Sequence, residues 1–366
     1  MMREAVLYRV ENDRVVCTAC ARYCKLLPNQ IGFCGIRINK DGKLYLANYG
    51  LLSALNFDPI EKKPFFHFYP GSVALSMGTF GCNWACKYCC NFDISQRRKI
   101  EGFEFMPEEI LEVAKKYKEK LNISSICFTY NEPTIYAEYI YDVAKLAKKE
   151  DFKIIFITNG YLSDEAIDFF SKFSDAITID FKGNGNSEFG RKFISIPSYE
   201  RVFQTLEELS KKKIHLEITD LVIPKVGDNL EDCRKLCKKI YDVLGEKSMI
   251  HFLRFFPMYK MQDFPSTPIE ILEEHAKIAK EEGIKYVYIG NVWGHELENT
   301  YCPNCGNLII KRYGFEILEF YLDESNRCNF CNYKLPIVGK VCKSLISLPI
   351  VVPEISNKKY VRVNFG

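Results

Sequence analysis

The length, composition and charge of this chain limit what it can be. Its 366 residues are 47% hydrophobic, which is ample for a folded core, and length alone allows about two to three domains. The net charge of +3 predicts neither a nucleic-acid nor a membrane partner. No segment approaches the ~20 apolar residues that a membrane-spanning helix needs.

The sixteen cysteines indicate metal binding. Arg3 and Glu4 are followed by no long apolar run, so we expect no signal peptide and a cytoplasmic protein. In a reducing cytosol, so many cysteines are more typical of metal ligands than of disulfides.

Residues 1–71 are predicted to form a cysteine-rich N-terminal module. Its cysteines have the spacing C-x2-C-x3-C-x9-C, at Cys17, Cys20, Cys24 and Cys34. Four thiolates suit either zinc or an iron–sulfur cluster. Zinc is the favoured prediction because structural zinc sites of this size are commoner. The alternative is a set of buried cysteines without metal, since free cysteine packs as a small hydrophobe.

Two local structures are predicted in the rest of this module. Asp41 and Gly42 form a hairpin signal between strands at 36–39 and 43–47. The prolines of the segment from Pro59 to Pro64 predict an extended linker that leads into the next domain.

From residue 72 to 295 the sequence alternates between strand and helix patterns. Strands are predicted at 73–79, 124–129, 153–158, 175–180, 214–222, 250–256 and 285–290. Amphipathic helices are predicted at 107–120, 134–150, 163–173, 198–212, 229–244 and 268–283. This alternation indicates a parallel sheet. Six or seven units are fewer than the eight of a closed barrel, so we expect an α/β fold with an open, partial (β/α)6-7 barrel.

A loop with three cysteines follows the first of these strands. The apolar run SVALSMGT leads into the segment GCNWACKYC, which contains Cys82, Cys86 and Cys89, and α/β barrels keep their chemistry at such strand ends. A complete iron–sulfur cubane has four thiolate ligands, so three leave one iron open for a small molecule. The alternative is a zinc site, but zinc ligands usually come in paired C-x2-C units and the x3 gap fits poorly.

Polar residues follow several of the other strands, where they would face the mouth of the barrel. They are Asn131 and Glu132 after the second strand, Thr158 and Asn159 at the end of the third, and Asp180 and Lys182 at the end of the fourth. The last two are two residues apart and therefore point to the same side of their strand. The alternative for Glu132 is a solvated acid at the start of a helix.

His251 and Arg254 lie on the sixth strand with odd spacing, so in a regular strand they face opposite sides. At most one of them can point into the barrel, and we predict that Arg254 does. His251 has the alternative role of a histidine in the core or at the rim.

Residues 296–366 are predicted to form a third module. Two C-x2-C knuckles, Cys302 with Cys305 and Cys328 with Cys331, flank a β-rich interval. The knuckles and the interval length match a zinc ribbon. Structural Zn2+ is therefore expected, with an auxiliary iron–sulfur cluster as the alternative. The apolar segment 345–352 is predicted to be a short strand.

The C-x3-C-x2-C loop resembles the signature of radical S-adenosylmethionine (SAM) enzymes. The resemblance implies a [4Fe-4S] cluster on the three thiolates, with SAM bound to the open iron. It implies that one electron cleaves SAM and that the 5′-deoxyadenosyl radical then takes a hydrogen from a substrate, chemistry that the cofactors carry. It also implies that Tyr88 lies beside the SAM adenine and that Glu132 binds the SAM amino group.

The same resemblance supplies further candidates and a partner. Asp180 and Lys182 are similar to the D-x-K element of glycyl-radical-enzyme activases, in which the lysine contacts SAM. The remaining candidates for cofactor binding are Asn131, Thr158, Asn159 and Arg254. An electron donor such as ferredoxin or flavodoxin is implied as a partner.

The likeness extends over nearly the whole chain. The segments that carry it are PIEKKPFFHFYPG, NFDISQ, FTYNEPT, ITNG, FFPMYKM, YVYIGNV and CPNCG. They resemble the radical SAM component of the AmmeMemoRadiSam group, relatives of pyruvate formate-lyase activating enzyme. That group implies Memo-like and AMMECR-like proteins as partners, but it implies no substrate.

Two functions therefore compete. The first is a radical SAM oxidoreductase that acts on an unidentified small molecule or peptide. The second is an activase that takes hydrogen from a glycine of a partner protein. A non-catalytic metal scaffold is a third alternative, which the joint presence of Glu132, Asp180, Lys182 and the three loop thiols disfavours.

Overall fold

Strands and helices alternate along most of the chain. The computed structural model describes residues 2–97 and 99–363. The strands are β1 (Arg3–Glu4), β2 (Tyr8–Glu11), β3 (Arg14–Cys17), β4 (Lys25–Leu26), β5 (Arg37–Lys40), β6 (Lys43–Leu46), β7 (Leu51–Leu52), β8 (Ala54–Pro59), β9 (Val73–Gly78), β10 (Ile100–Glu104), β11 (Ile123–Phe128), β12 (Lys153–Thr158), β13 (Ala176–Lys182), β14 (His215–Val222), β15 (Met249–Arg254), β16 (Tyr286–Gly290), β17 (Thr300–Tyr301), β18 (Leu308–Tyr313), β19 (Glu316–Phe320), β20 (Ile350–Val351) and β21 (Tyr360–Val363). The α-helices are α1 (Phe92–Ser95), α2 (Pro107–Leu121), α3 (Ala137–Ala147), α4 (Asp164–Ser171), α5 (Ser187–Phe189), α6 (Glu200–Ser210), α7 (Leu230–Leu244) and α8 (Ile269–Glu281).

The central sheet has the strand order β16-β15-β14-β13-β12-β11-β9-β8-β20. Strands β9 and β11 to β16 are parallel to one another. Each of these seven strands lies within two residues of its predicted ends. The linear order leaves the sheet open, so the predicted α/β class and the open, partial barrel are confirmed.

Local signals in the sequence explain where the helices begin. The Ser163 hydroxyl accepts a hydrogen bond from the amide of Ala166 at 3.0 Å and caps α4. Helix α2 begins with Pro107, whose missing amide hydrogen costs nothing in a first turn. Residues from the outer faces of the strands and from the helices bury one shared hydrophobic core, which extends from Ala5 to Val352.

The predicted linker before the first barrel strand is folded, and the expectation of an extended segment is wrong. After β8, residues Ile60–Lys62 form a 3-10 turn. Phe65 and Phe68 then pack against Ala74, Cys127, Ile155 and Ala176 of the parallel strands. The segment 60–68 therefore lies across the inner face of the barrel.

A buried carboxylate fixes this segment in place. Glu217 of β14 accepts hydrogen bonds from the backbone amides of Phe66 and His67, at 3.0 and 2.8 Å. His215 and His251 also contact its two oxygens, at 3.0 and 2.8 Å. These contacts outweigh burial and hold the pKa of Glu217 well below its usual range.

Smaller sheets flank the central one. At the N-terminus, β1-β6-β5 and β2-β3-β4 are antiparallel, and the predicted hairpin at Asp41 and Gly42 joins β5 to β6. At the other end, β17-β18-β19 carries the two C-x2-C knuckles. In the segment predicted as a terminal strand, β20 pairs with β8 at Asn56 and Phe57.

The last strand also returns to the body of the protein, because β21 pairs with β10. Among the described residues, none of the helices combines the length and the apolar character that crossing a membrane requires.

Candidate active site

The three-cysteine loop leaves the carboxyl end of β9, as the sequence predicts. Backbone contacts hold it in place. The amides of Ala85 and Lys87 donate to the carbonyls of Ile194 and Phe193, at 3.0 and 2.9 Å. These acceptors belong to a π-helical segment, Gly190–Ile194, that the sequence analysis missed. Such single-turn segments are frequent at functional sites.

The loop sulfurs are partly buried, and burial is the main cause that raises the pKa values of all three thiols, that of Cys86 to about 12. Only the thiolate binds metal, so metal binding here would release protons. Three thiolates leave one iron of a cubane without a protein ligand, whereas zinc ligands usually come in paired C-x2-C units, which this loop lacks. The donor set therefore fits a cluster better than zinc.

Three asparagines connect the loop to the neighbouring strand ends. Asn131 accepts from the Thr79 amide at 3.2 Å and donates to the Gly81 carbonyl at 2.8 Å. Asn159 donates to the side-chain oxygen of Asn83 at 2.7 Å. The predicted site residues Asn131 and Asn159 thus position the cysteine loop itself.

Glu132 is buried against the same strand ends, with 2% of its surface exposed. Its carboxylate accepts from the Thr158 hydroxyl at 2.8 Å and from the amides of Asn159 and Thr134 at 2.9 and 3.2 Å. Burial nevertheless raises the pKa of Glu132 to about 7. The alternative of a solvated acid is therefore wrong, although Glu132 does cap the 3-10 helix Pro133–Tyr136, as an acid at a helix start would.

Asp180 and Lys182 form an ion pair on the inner face of β13. Their charged atoms lie 2.6 Å apart, and the Thr219 hydroxyl donates to the same Asp180 oxygen at 2.5 Å. Burial disfavours the positive charge of Lys182, but the neighbouring Asp180 keeps the pKa of Lys182 above its ordinary value. The exposed thiol of Cys90 lies within electrostatic range of both groups.

Sequence reasoning missed a second charged group inside the barrel. Buried Asp58 pairs with Lys62 at 3.0 Å and Lys63 at 2.5 Å, and the Tyr130 hydroxyl donates to it at 2.6 Å. These contacts outweigh burial and lower the pKa of Asp58 to about 2. The side chain of Lys62 is 30% exposed. The only sequence signal for this charged group is the alternation of residues along β8, which places Asn56 and Asp58 on the same face of the strand.

Two further candidates lie in unexpected surroundings. The Tyr88 ring is buried and stacks on Phe189 at 5.7 Å, with its hydroxyl close to the Cys86 sulfur.

The predicted inward orientation of Arg254 is wrong. His251 shares the inner face with Glu217, whereas Arg254 donates outside this group to the Thr267 carbonyl at 2.9 Å.

The C-terminal cysteines form a compact group. The sulfurs of Cys302, Cys305, Cys328 and Cys331 all lie within 4.8 Å of one another. Cys302 and Cys331 are 3.5 Å apart, and Cys305 and Cys328 are 3.7 Å apart. Four thiolates at this spacing suit one tetrahedral ion, as in a zinc ribbon.

The sequence is similar to those of known proteins. The family model of the radical SAM superfamily matches residues 77–240. An uncharacterized protein from Methanocaldococcus jannaschii is 43% identical over 341 residues, which cover 92% of this chain and 100% of that protein.

Two relatives with informative names are more distant. A protein of the same organism, named for the activation of a glycyl-radical enzyme, is 26% identical over 171 residues, 46% of this chain and 62% of the relative. The pyruvate formate-lyase-activating enzyme of Clostridium pasteurianum is 24% identical over 212 residues, 56% of this chain and 87% of that enzyme.

Proposed function

The chain belongs to the radical SAM superfamily and is an enzyme, and on this premise we propose that it takes a hydrogen atom from a small-molecule or peptide substrate. The cofactors of this superfamily are a [4Fe-4S] cluster and SAM. The substrate itself is unidentified.

The proposed roles at the cluster loop follow from the contacts around it. Cys82, Cys86 and Cys89 would hold the cluster, which when bound supplies the electron that cleaves SAM. Asn131 fixes the start of the loop through the Gly81 carbonyl.

Glu132 is the proposed acceptor for the SAM amino group. Its carboxylate is oriented by three donors from neighbouring backbone and hydroxyl groups. A cation placed against it would favour the ionised form, which burial alone disfavours. Thr158 and Asn159 act here as positioning residues for this carboxylate.

The substrate is proposed to bind on the inner face of the barrel. Lys182 with Asp180, and Lys62 with Asp58, place charged groups there. Because Lys62 is partly exposed, it could exchange its contact for a substrate group. Arg254 would contribute only from the rim, since its side chain is directed to Thr267.

The second candidate is an activase for a glycyl-radical enzyme. The names of two relatives support it, at 26% and 24% identity. An activase needs a mouth wide enough for a polypeptide loop, and the flanking modules would have to leave it open.

The finer assignments belong to the same proposal. We assign the chain to the AmmeMemoRadiSam group on its motifs, with Memo-like and AMMECR-like partners and a ferredoxin or flavodoxin as electron donor. We also retain a cytoplasmic location, since all sixteen cysteines are free thiols.

The observation that carries the proposal is the loop at the carboxyl end of β9, which offers a cubane the three partly buried thiols of Cys82, Cys86 and Cys89. Anaerobically reconstituted protein should contain this cluster and form 5′-deoxyadenosine from SAM when reduced. Cys86→Ala should abolish both. Cys90→Ala is the matched control, because this neighbouring thiol is exposed and outside the motif. Cleavage of SAM by Cys86→Ala protein would refute the assignment.

A further inference from the structure

The fold brings the four N-terminal cysteines together beside the candidate active site. Cys17 ends β3, and its amide donates to the Cys24 carbonyl at 3.0 Å. Cys17, Cys20 and Cys34 are buried, and Cys24 is partly buried. The thiols lie within electrostatic range of one another, which adds to the effect of burial in raising the pKa of Cys20. The fold thus brings four sulfur donors within electrostatic range of one another.

A buried arginine next to these sulfurs lacks one acceptor. Arg37 is 1% exposed; its Nη2 pairs with Glu138 at 2.6 Å and its Nε donates to the Ile135 carbonyl at 2.8 Å. Its Nη1 is buried without a partner. A buried N–H group without an acceptor is costly. The guanidinium lies within electrostatic range of Cys17 and Cys34, so its positive charge would stabilise the negative charge of metal-bound thiolates there.

The spacing of the sulfurs distinguishes this set from the C-terminal ribbon. In the C-terminal set all four sulfurs lie within 4.8 Å of one another. Within residues 2–97, no three of the N-terminal sulfurs approach one another so closely. The N-terminal sulfurs are therefore not drawn together as those of the ribbon are, and four thiolates also complete the protein ligands of an iron–sulfur cluster.

The N-terminal loops are in direct contact with the cysteine loop of the active site. A Cβ atom added to Gly81 would lie 2.2 Å from the Cys34 carbonyl oxygen, which shows how closely the two backbones approach. Arg22 donates to the carbonyl of Asn83 and, at 2.8 Å, to that of Ser195. One non-bonded contact therefore separates Cys34 from the residue that precedes Cys82.

We propose that Cys17, Cys20, Cys24 and Cys34 hold a second iron–sulfur cluster, which passes electrons to the cluster on Cys82, Cys86 and Cys89. The site itself is independent of the proposed function, whereas the electron transfer depends on it. In each transfer, one electron leaves a reduced ferredoxin or flavodoxin, which is oxidised. The N-terminal cluster is reduced and then reoxidised as the electron moves on to the active-site cluster. No bond forms or breaks at the N-terminal site.

Metal analysis and spectroscopy of the full chain test the site. Reconstituted wild-type protein should contain about eight irons and about one zinc. The triple variant Cys82→Ala/Cys86→Ala/Cys89→Ala should retain about four irons and, when reduced, an electron paramagnetic resonance signal. A triple variant without iron would overturn the proposal. So would wild-type protein with about four irons and about two zinc ions. Wild-type protein with the full iron content that forms no 5′-deoxyadenosine would refute the proposed function and leave the site intact.

The electron transfer is tested separately in Cys20→Ala protein. Its active-site cluster should still be reduced by dithionite, a small reductant that needs no relay. Stopped-flow absorbance measurements should show that flavodoxin no longer reduces the active-site cluster. Cys342→Ala is a matched control, since this thiol lies in neither cysteine set and should leave both reductions unchanged. Reduction of Cys20→Ala protein by flavodoxin at the wild-type rate would overturn the relay.

Discussion

The burial of Glu132 gives a prediction about stability as well as about binding. Burial raises its pKa from 4.5 to about 7 in the folded protein. Between these values the folded state binds more protons than the unfolded state, so the free energy of unfolding falls as pH rises. Each pKa unit corresponds to about 1.36 kcal/mol, and the shift therefore costs the folded protein at most about 3 kcal/mol above pH 7.

Glu132→Gln removes the titrating group but keeps the shape of the side chain. The amide also disrupts one of the hydrogen bonds from Thr134, Thr158 and Asn159, at a cost of about 1–3 kcal/mol that is the same at every pH. The informative quantity is therefore the free energy of unfolding of the variant minus that of wild type, compared at pH 8 and at pH 5. We expect this quantity to be larger at pH 8 than at pH 5, by up to about 3 kcal/mol.

Urea unfolding of the metal-free proteins at the two pH values measures this quantity. Parallel changes of the two unfolding midpoints with pH would refute the reasoning about burial. The same variant should bind SAM about 10–100-fold more weakly, because a charge-assisted hydrogen bond is worth about 1.5–3 kcal/mol. Equilibrium dialysis of the cluster-loaded proteins tests this, and equal affinities would exclude Glu132 as the ligand of the amino group.

Two further substitutions test the cysteine loop and the zinc ribbon. Gly81→Ala should destabilise the protein by at least about 2 kcal/mol more than Gly42→Ala. Both glycines have positive φ, but only at Gly81 does the new methyl meet a backbone oxygen, that of Cys34; equal melting temperatures would contradict this. Cys305→Ser should lose about one zinc ion per chain while SAM cleavage persists, and elemental analysis that finds unchanged zinc would exclude the site.

The sequence predicted the parallel strands well because their signals are local. Each strand is an apolar run between helices with recognisable starts, such as Ser163 at α4. The position of the cysteine loop at the end of β9 follows from the same pattern. The sequence-based choice between Glu132 as a ligand and as a solvated acid was open, because burial depends on strands that are distant in the chain.

The failures share one cause, which is contact between residues far apart in sequence. The inward position of His251 gives no local signal, because its partner, Glu217, is 34 residues away in the chain. The segment after Pro59 was expected to be extended because its prolines are typical of linkers. It folds back instead because Phe65 and Phe68 bury their rings against four parallel strands.

The pairing of β20 with β8 has a consequence for how the protein can be handled. Strand β8 is the antiparallel neighbour of β9, and β20 occupies its outer backbone groups at Asn56 and Phe57. A shortened chain that ended before Ile350 would leave those amides and carbonyls unpaired, and an unprotected edge of this kind recruits strands from other molecules. Strand β20 thus protects the edge of the central sheet from aggregation, and an affinity tag is better attached elsewhere.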